Sequence, residues 1–210
     1  MSLTLYSGFV GSGKSYHATA EGLHFAEAWR GSGWVVANFP IRPRKSWLFD
    51  RETRWLYFDN EEFSPEMLVK LSIERGWDQR EGSCLLIFDE AGIFFNARDW
   101  ARAGNRADWI KFFSQSRKFG YEIIFIAQDM RMLDRQIRAL CEYEVVHRKL
   151  NHWAFFKLLP CTTFACIKYW NGTNARYSRG SLSLSIYRKS VADRYDTAGL
   201  FGYGDTEDAP

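Results

Sequence analysis

Residues 8–15 read Gly8-Phe9-Val10-Gly11-Ser12-Gly13-Lys14-Ser15. This is a complete phosphate-binding loop. Its glycines let the backbone curl so that successive N–H groups point inward at phosphate oxygens. Lys14 can reach the β- and γ-phosphates, and the Ser15 hydroxyl can ligate Mg²⁺. A glycine-rich turn could match the pattern by chance, but the flanks argue otherwise. Leu3 to Tyr6 reads as a short strand, and Ser15 to Ala26 reads as a helix. Strand, loop and helix in that order are the setting the motif requires. Gly8, Phe9, Val10, Gly11, Ser12, Gly13, Lys14 and Ser15 are therefore expected to cradle the phosphates of ATP.

Working outward, Trp34 to Phe39 reads as a second strand. Residues 41–62 are rich in Trp and Arg and read as an excursion off the sheet. Ser64-Pro65-Glu66 opens a short helix over Met67 to Ile73, with serine as N-cap and proline at the first helical position. Cys84 to Phe88 and Glu122 to Ala127 are continuous apolar runs, which suit parallel strands buried on both faces. A helix is expected between them from Arg106 to Lys118, stopped by Gly120. This alternation implies an α/β fold with a mostly parallel sheet flanked by helices. Tyr143 to His147 reads as a further strand. Thr163 to Trp170 and Leu182 to Tyr187 follow without helices, as a terminal antiparallel pair. One domain is expected over residues 1–200, with a β extension at about 143–190 and a mobile tail at 201–210.

The run at Cys84 ends in Asp89-Glu90. A hydrophobic strand closing on two acids 74 residues beyond Ser15 looks like the other half of a nucleotide site, on a strand expected beside the first. Asp89 is placed to hold Mg²⁺ opposite Ser15. Glu90 is placed to polarise an attacking water as general base. Gln128 ends the strand at Glu122; it is either an ordinary strand end or a sensor of the γ-phosphate. Phosphoryl transfer also gains from an arginine facing the developing charge. Arg98, Arg102, Arg106, Arg117, Arg131 and Arg135 are the candidates. On an ideal helix Arg106 and Arg117 share a face with Ile110 and Phe113. An arginine acting from a neighbouring subunit predicts a ring, with six subunits as the expected number.

Composition bounds what else is possible. The 210 residues are 46% hydrophobic and carry a net charge of +3, too mild to demonstrate a nucleic-acid partner. The stretch holding Arg42, Arg44, Lys45, Arg51 and Arg54 can grip phosphates and stack on bases, or be a solvated surface. It also resembles the lid of a small-molecule kinase, so a phosphotransferase stays open as an alternative. Cys84, Cys141, Cys161 and Cys166 lack metal-ligand spacing, which predicts no metal site among them. Reduced thiols and a need for ATP point to the cytoplasm. The most apolar stretch, Trp153 to Ile167, contains Lys157 and Pro160 and falls short of the ~20 apolar residues of a spanning helix. No leader segment is expected before the first strand.

Three runs together carry a resemblance. The phosphate loop, Leu86-Ile87-Phe88-Asp89-Glu90-Ala91, and Ser114-Gln115-Ser116-Arg117-Lys118-Phe119-Gly120-Tyr121 through Gln128-Asp129 are similar to the zonular occludens toxin (Zot) family. Met132 to Leu140 and Tyr195-Asp196-Thr197 fit the same pattern. The resemblance covers roughly residues 1–200. These are ATPases of filamentous phage assembly, grouped with the FtsK/HerA DNA pumps. The resemblance implies a RecA-like P-loop NTPase core, Gln128 as sensor and Arg117 as a trans-acting arginine. It implies movement of phage DNA during virion assembly, packaging or extrusion. The setting would be the host bacterium's cytoplasm, at the inner membrane or a virion vertex, with virion or membrane assembly proteins as partners. Family members usually carry a membrane helix and a periplasmic part after the ATPase region; residues 1–210 hold no apolar run long enough for such a helix. The toxin activity in the family's name is associated with that C-terminal part and is not carried over. A non-motor, ATP-dependent assembly switch remains the main alternative.

Overall fold

The computed structural model describes residues 2–27, 33–42, 54–96, 105–151, 161–171 and 178–195. The described strands form one eight-stranded sheet. They are β1 (Leu3–Ser7), β2 (Trp34–Ala37), β3 (Trp55–Tyr57), β4 (Cys84–Phe88), β5 (Tyr121–Ile126), β6 (Tyr143–Lys149), β7 (Thr163–Trp170) and β8 (Ser178–Ile186). Their spatial order is β3-β2-β4-β5-β1-β6-β7-β8. Every pairing from β3 to β6 is parallel. The pairs β6–β7 and β7–β8 are antiparallel. The expected fold class is what is observed, a RecA-like α/β sheet with antiparallel strands added at the C-terminal end.

Two expectations about the sheet need correction. Residues 41–62 are not wholly an excursion: Trp55 to Tyr57 pairs in parallel with Val35 to Ala37 as the edge strand. Three residues are too short to show a strand period. The strand carrying Asp89 is also not beside the strand that leads into the phosphate loop. β5 lies between them, paired with β4 on one side and β1 on the other. Sequence separation says nothing about that insertion.

The described helices are α1 (Lys14–Glu27), α2 (Pro65–Arg75), α3 (Ala91–Phe94), α4 (Arg106–Gln115), α5 (Arg135–Leu140) and α6 (Lys189–Ala192). Ser64 caps α2 by accepting a 3.1 Å bond from the Met67 N–H, and Pro65 follows it. α4 is shorter than expected. It stops at Gln115 and continues as a 3₁₀ turn over Ser116–Phe119, which ends on Gly120 at φ +74°. Glycine is required there twice over. The left-handed conformation disfavours a side chain, and a Cβ would run into the Trp77 carbonyl.

The sheet has a core on each face. One side buries Ala18 and Ala26 of α1 against Val35, Ala37, Ile87, Ile124 and Ile126. The other is aromatic and packs α2, α3 and α4 on the sheet. Phe88 lies at its centre, stacked on Phe125 at 6.0 Å and edge-on to Phe95 at 5.2 Å and Trp109 at 5.8 Å. Such pairs add about 0.5–1.5 kcal/mol each beyond area burial. This packing grips the residue immediately before Asp89. The tip of β4 is therefore held rigidly where the parallel strands end, the edge at which ligands bind in open α/β sheets.

Candidate nucleotide site

β1 delivers the chain into the phosphate loop, and α1 begins at Lys14. Gly8, Gly11 and Gly13 have φ of +139°, +74° and +91°. At Gly8 a Cβ would strike the His147 carbonyl of β6, so the loop's entry needs both the conformation and the missing side chain. The Lys14 ammonium donates to the Gly8 and Phe9 carbonyls at 2.9 and 3.2 Å. Burial pushes its pKa down, while Glu90 and Asp89 oppose that shift. Ser12 is buried, and its hydroxyl finds no partner among the described residues. An orphaned donor costs free energy unless something else meets it, and a phosphate oxygen in the loop would do so.

Asp89 is buried at the end of β4. Its backbone N–H donates to Asn38 Oδ1 at 2.7 Å, and Asn38 Nδ2 donates back to the Asp89 carbonyl at 2.9 Å. Asn38 Nδ2 also donates to Asn60 Oδ1 at 2.9 Å. The Asp89 carboxylate accepts the Glu90 N–H on Oδ1 at 2.8 Å and the Tyr195 hydroxyl on Oδ2 at 2.9 Å. The Ser15 hydroxyl engages the same phenol oxygen. Ser15 and Asp89 thus both approach the Tyr195 phenol. Neither Asn38 nor Tyr195 was assigned a role from the sequence. An asparagine closing an apolar strand was the available signal for the first. For the second it was the Tyr195-Asp196-Thr197 run that fits the family pattern, which gives no hint of a contact with Asp89 from the far end of the chain.

Glu90 is the one described non-glycine residue with positive φ, at 49°. That conformation costs on the order of 1 kcal/mol or more, and such strain concentrates at functional sites. Burial and the Asp89 charge raise its pKa, while Lys14 lowers it. A carboxyl lifted toward neutrality is suited to take a proton from water.

Gln128 lies two residues beyond Ile126, the last residue of β5, and its carbonyl accepts the Gly8 N–H at 3.2 Å. Its side chain is exposed in a cleft of about 460 Å³ with Ser7, Gly8, Arg131, Glu144 and Arg148. It therefore stands next to the loop. Arg117 does not. It precedes β5, at the opposite edge of the sheet from the loop, about 20 Å away for a six-residue strand. Its guanidinium pairs with Glu81 at 3.4 Å, both side chains well exposed. The helical face expected to join Arg106 and Arg117 does not exist, because α4 ends before Arg117. Arg106 is committed to Asp134 at 3.0 Å. Arg98, Arg102, Arg44, Lys45 and Arg51 lie outside the described residues, as does the expected tail at 201–210.

The zonular occludens toxin (Zot) family matches residues 2–178 of the chain. The chain belongs to the Zot family. Within it, the Gene 1 protein of Enterobacteria phage M13 is 31% identical over 152 residues, covering 65% of this chain and 43% of that protein. The Gene 1 protein of Escherichia phage If1 is 41% identical over 91 residues, covering 41% of this chain and 25% of that protein. The chain thus spans less than half the length of these relatives. Among solved structures, the N-terminal domain of zonular occludens toxin from Neisseria meningitidis superposes with a TM-score of 0.52 at 19% identity. It covers 93% of this chain and 98% of its own. The DNA-packaging ATPase B204 of Sulfolobus Turreted Icosahedral Virus gives 0.51 at 15% identity, covering 89% and 97%. The ATPase domain of G40P gives 0.56 at 8%, covering 93% and 84%. At these identities the structures establish a shared P-loop NTPase fold. Among the described residues of this Zot-family chain, no helix is long and apolar enough to cross a membrane.

Proposed function

We propose that the chain is an ATP-hydrolysing motor that moves phage DNA during virion assembly. One observation carries the hydrolytic part: Glu90 is held in a strained conformation beside Asp89, with its carboxyl raised and the Lys14 charge close by. In this reading the phosphate loop from Gly8 to Ser15 binds ATP and Lys14 neutralises its phosphates. Ser15 and Asp89 offer hard oxygen ligands of the kind Mg²⁺ takes. When bound, that ion would neutralise charge on the transferring phosphoryl group. Glu90 takes the proton of the attacking water, and Gln128 reads the γ-phosphate or positions the water. Arg117, exposed and remote from its own site, serves the site of a neighbouring subunit in a ring, with six the expected number. The host cytoplasm, at the inner membrane or a virion vertex, is the proposed setting. Virion or membrane assembly proteins would be its partners.

Membership of a family that includes phage Gene 1 proteins, and the fold shared with a DNA-packaging ATPase, support DNA as the substrate. Two measurements test the reading. Phosphate release from ATP should rise when phage DNA is added, and a strand annealed to that DNA should be displaced at saturating ATP. Hydrolysis with ATP-dependent oligomerisation but no displacement would replace the motor with an assembly switch. Phosphate transfer only to a small acceptor would replace it with a kinase-like activity.

A further inference from the structure

Behind the phosphate loop, three side chains from α1, β6 and β7 meet. One ring nitrogen of His17, one of His147 and the Cys166 sulfur lie within 4.8 Å of one another. His17 Nε2 is 3.7 Å from Cys166 Sγ. We propose that His17, His147 and Cys166 form a binding site for a thiophilic divalent cation of the zinc class. Zinc bonds of about 2.0–2.3 Å in tetrahedral geometry set ligand atoms about 3.3–3.8 Å apart. The His17–Cys166 pair already has that separation, and the widest distance needs about 1 Å of contraction.

The surroundings prepare the donors. His17 Nδ1 donates to the Gly13 carbonyl at 2.6 Å, and His147 Nδ1 donates to the Val145 carbonyl at 3.0 Å. Each bond puts the ring proton on Nδ1 and the lone pair on Nε2; at His17 that lone pair now accepts from Ser185, and the His147 ring also meets the Ser7 backbone, so a cation would displace these contacts. A backbone carbonyl holding the second nitrogen is the usual support of a metal-bound histidine. Burial keeps both rings neutral, lowering His147 to about 3. Burial also pushes the Cys166 thiol up to about 11. A thiol at that value is a poor nucleophile, which argues against a reactive cysteine. A bound cation displaces that proton: the S–H bond breaks, the proton leaves to solvent and the thiolate pair bonds the metal. The Ser185 hydroxyl, now donating to His17 Nε2 at 2.5 Å, is placed for the fourth position. Because His17 holds Gly13, a filled site would clamp the phosphate loop and the start of α1 onto β6 and β7.

The test uses the whole chain, stripped with a chelator and titrated with Zn²⁺ against a chromogenic competitor. One equivalent should bind and raise the thermal unfolding midpoint. Co²⁺ should give a thiolate charge-transfer band. Cys166→Ser should lose that band and at least about tenfold in affinity, while Cys161→Ser keeps both. X-ray absorption of the zinc-loaded wild type, which needs no variant, should show one sulfur and two imidazole nitrogens. Sub-stoichiometric binding, a Cys166-independent site or a shell without sulfur would overturn the proposal.

Discussion

The Tyr195 hydroxyl donates a 2.9 Å bond to Asp89 Oδ2, joining the end of the described chain to the tip of β4. The Ile41–Tyr195 bridge and the Phe39 ring, 5.3 Å from the Tyr195 ring, hold the tyrosine in place. Burial, with Asp89 beside it, raises the phenol's pKa, so it stays a donor across ordinary pH. Tyr195→Phe removes the donor and leaves a buried carboxylate oxygen without that partner. The expected cost is about 1–3 kcal/mol, read as a lower midpoint in denaturant. An unchanged midpoint would show that water replaces the hydroxyl at no loss.

Glu90 separates stability from turnover. Glu90→Gln should keep nucleotide binding and lose roughly 10²–10⁴-fold in hydrolysis. Glu90→Gly should lose hydrolysis equally while stabilising the fold by about 1 kcal/mol, because glycine accepts φ near +49° without strain. Turnover and thermal melts on the two variants check both halves. A glycine variant less stable than wild type would mean that the side chain earns more than its conformation costs.

Arg117 should matter for turnover and not for folding. Its exposed pair with Glu81 is worth about 0–1 kcal/mol, so Arg117→Ala should melt like the parent. If the arginine serves a neighbour's site, Arg117→Ala and Glu90→Gln are each inactive alone but partly active when mixed. Mixed oligomers would then contain an intact Glu90 facing an intact Arg117. Absence of rescue in verified mixed oligomers would remove Arg117 from the catalytic assignment.

Acid should destabilise the fold through His147, measured with a chelator present. The unfolded imidazole gains a proton as pH falls through about 6.5, whereas in the fold it stays neutral down to about 3. Between those values the unfolded state binds more protons, so stability falls with pH. The loss is on the order of a few kcal/mol, since each unit of difference is about 1.4 kcal/mol. His147→Gln should flatten that limb; an equally steep limb in the variant would assign it to other groups.

Gly120→Ala probes the turn behind the site. Left-handed φ and the Trp77 carbonyl together predict a loss of about 2–4 kcal/mol. Nucleotide affinity of the folded fraction should stay the same, because Gly120 precedes β5 and the loop lies beyond its other end. A stability like that of the parent would show that the Trp77 segment gives way.

What the sequence by itself determined is local. The phosphate loop, the caps at Ser64 and Gly120, the buried strands and the Asp89-Glu90 terminus each state their chemistry within a few residues. Backbone conformation and hydrophobic period are short-range properties, and so those elements were legible before any fold was drawn. The antiparallel pair was legible for the same reason: Thr163 to Trp170 emerges with the expected bounds, whereas the strand expected at Leu182 to Tyr187 runs from Ser178 to Ile186. Only the tertiary structure decided what depends on strand order. It placed β5 between β1 and β4, set Arg117 at the edge away from its own site, and brought Asn38 and Tyr195 onto Asp89. It also gathered His17, His147 and Cys166, which are 130 and 19 residues apart along the chain, into one cluster. No local spacing encodes such meetings, because they follow from packing helices on both faces of a sheet whose order is a long-range property.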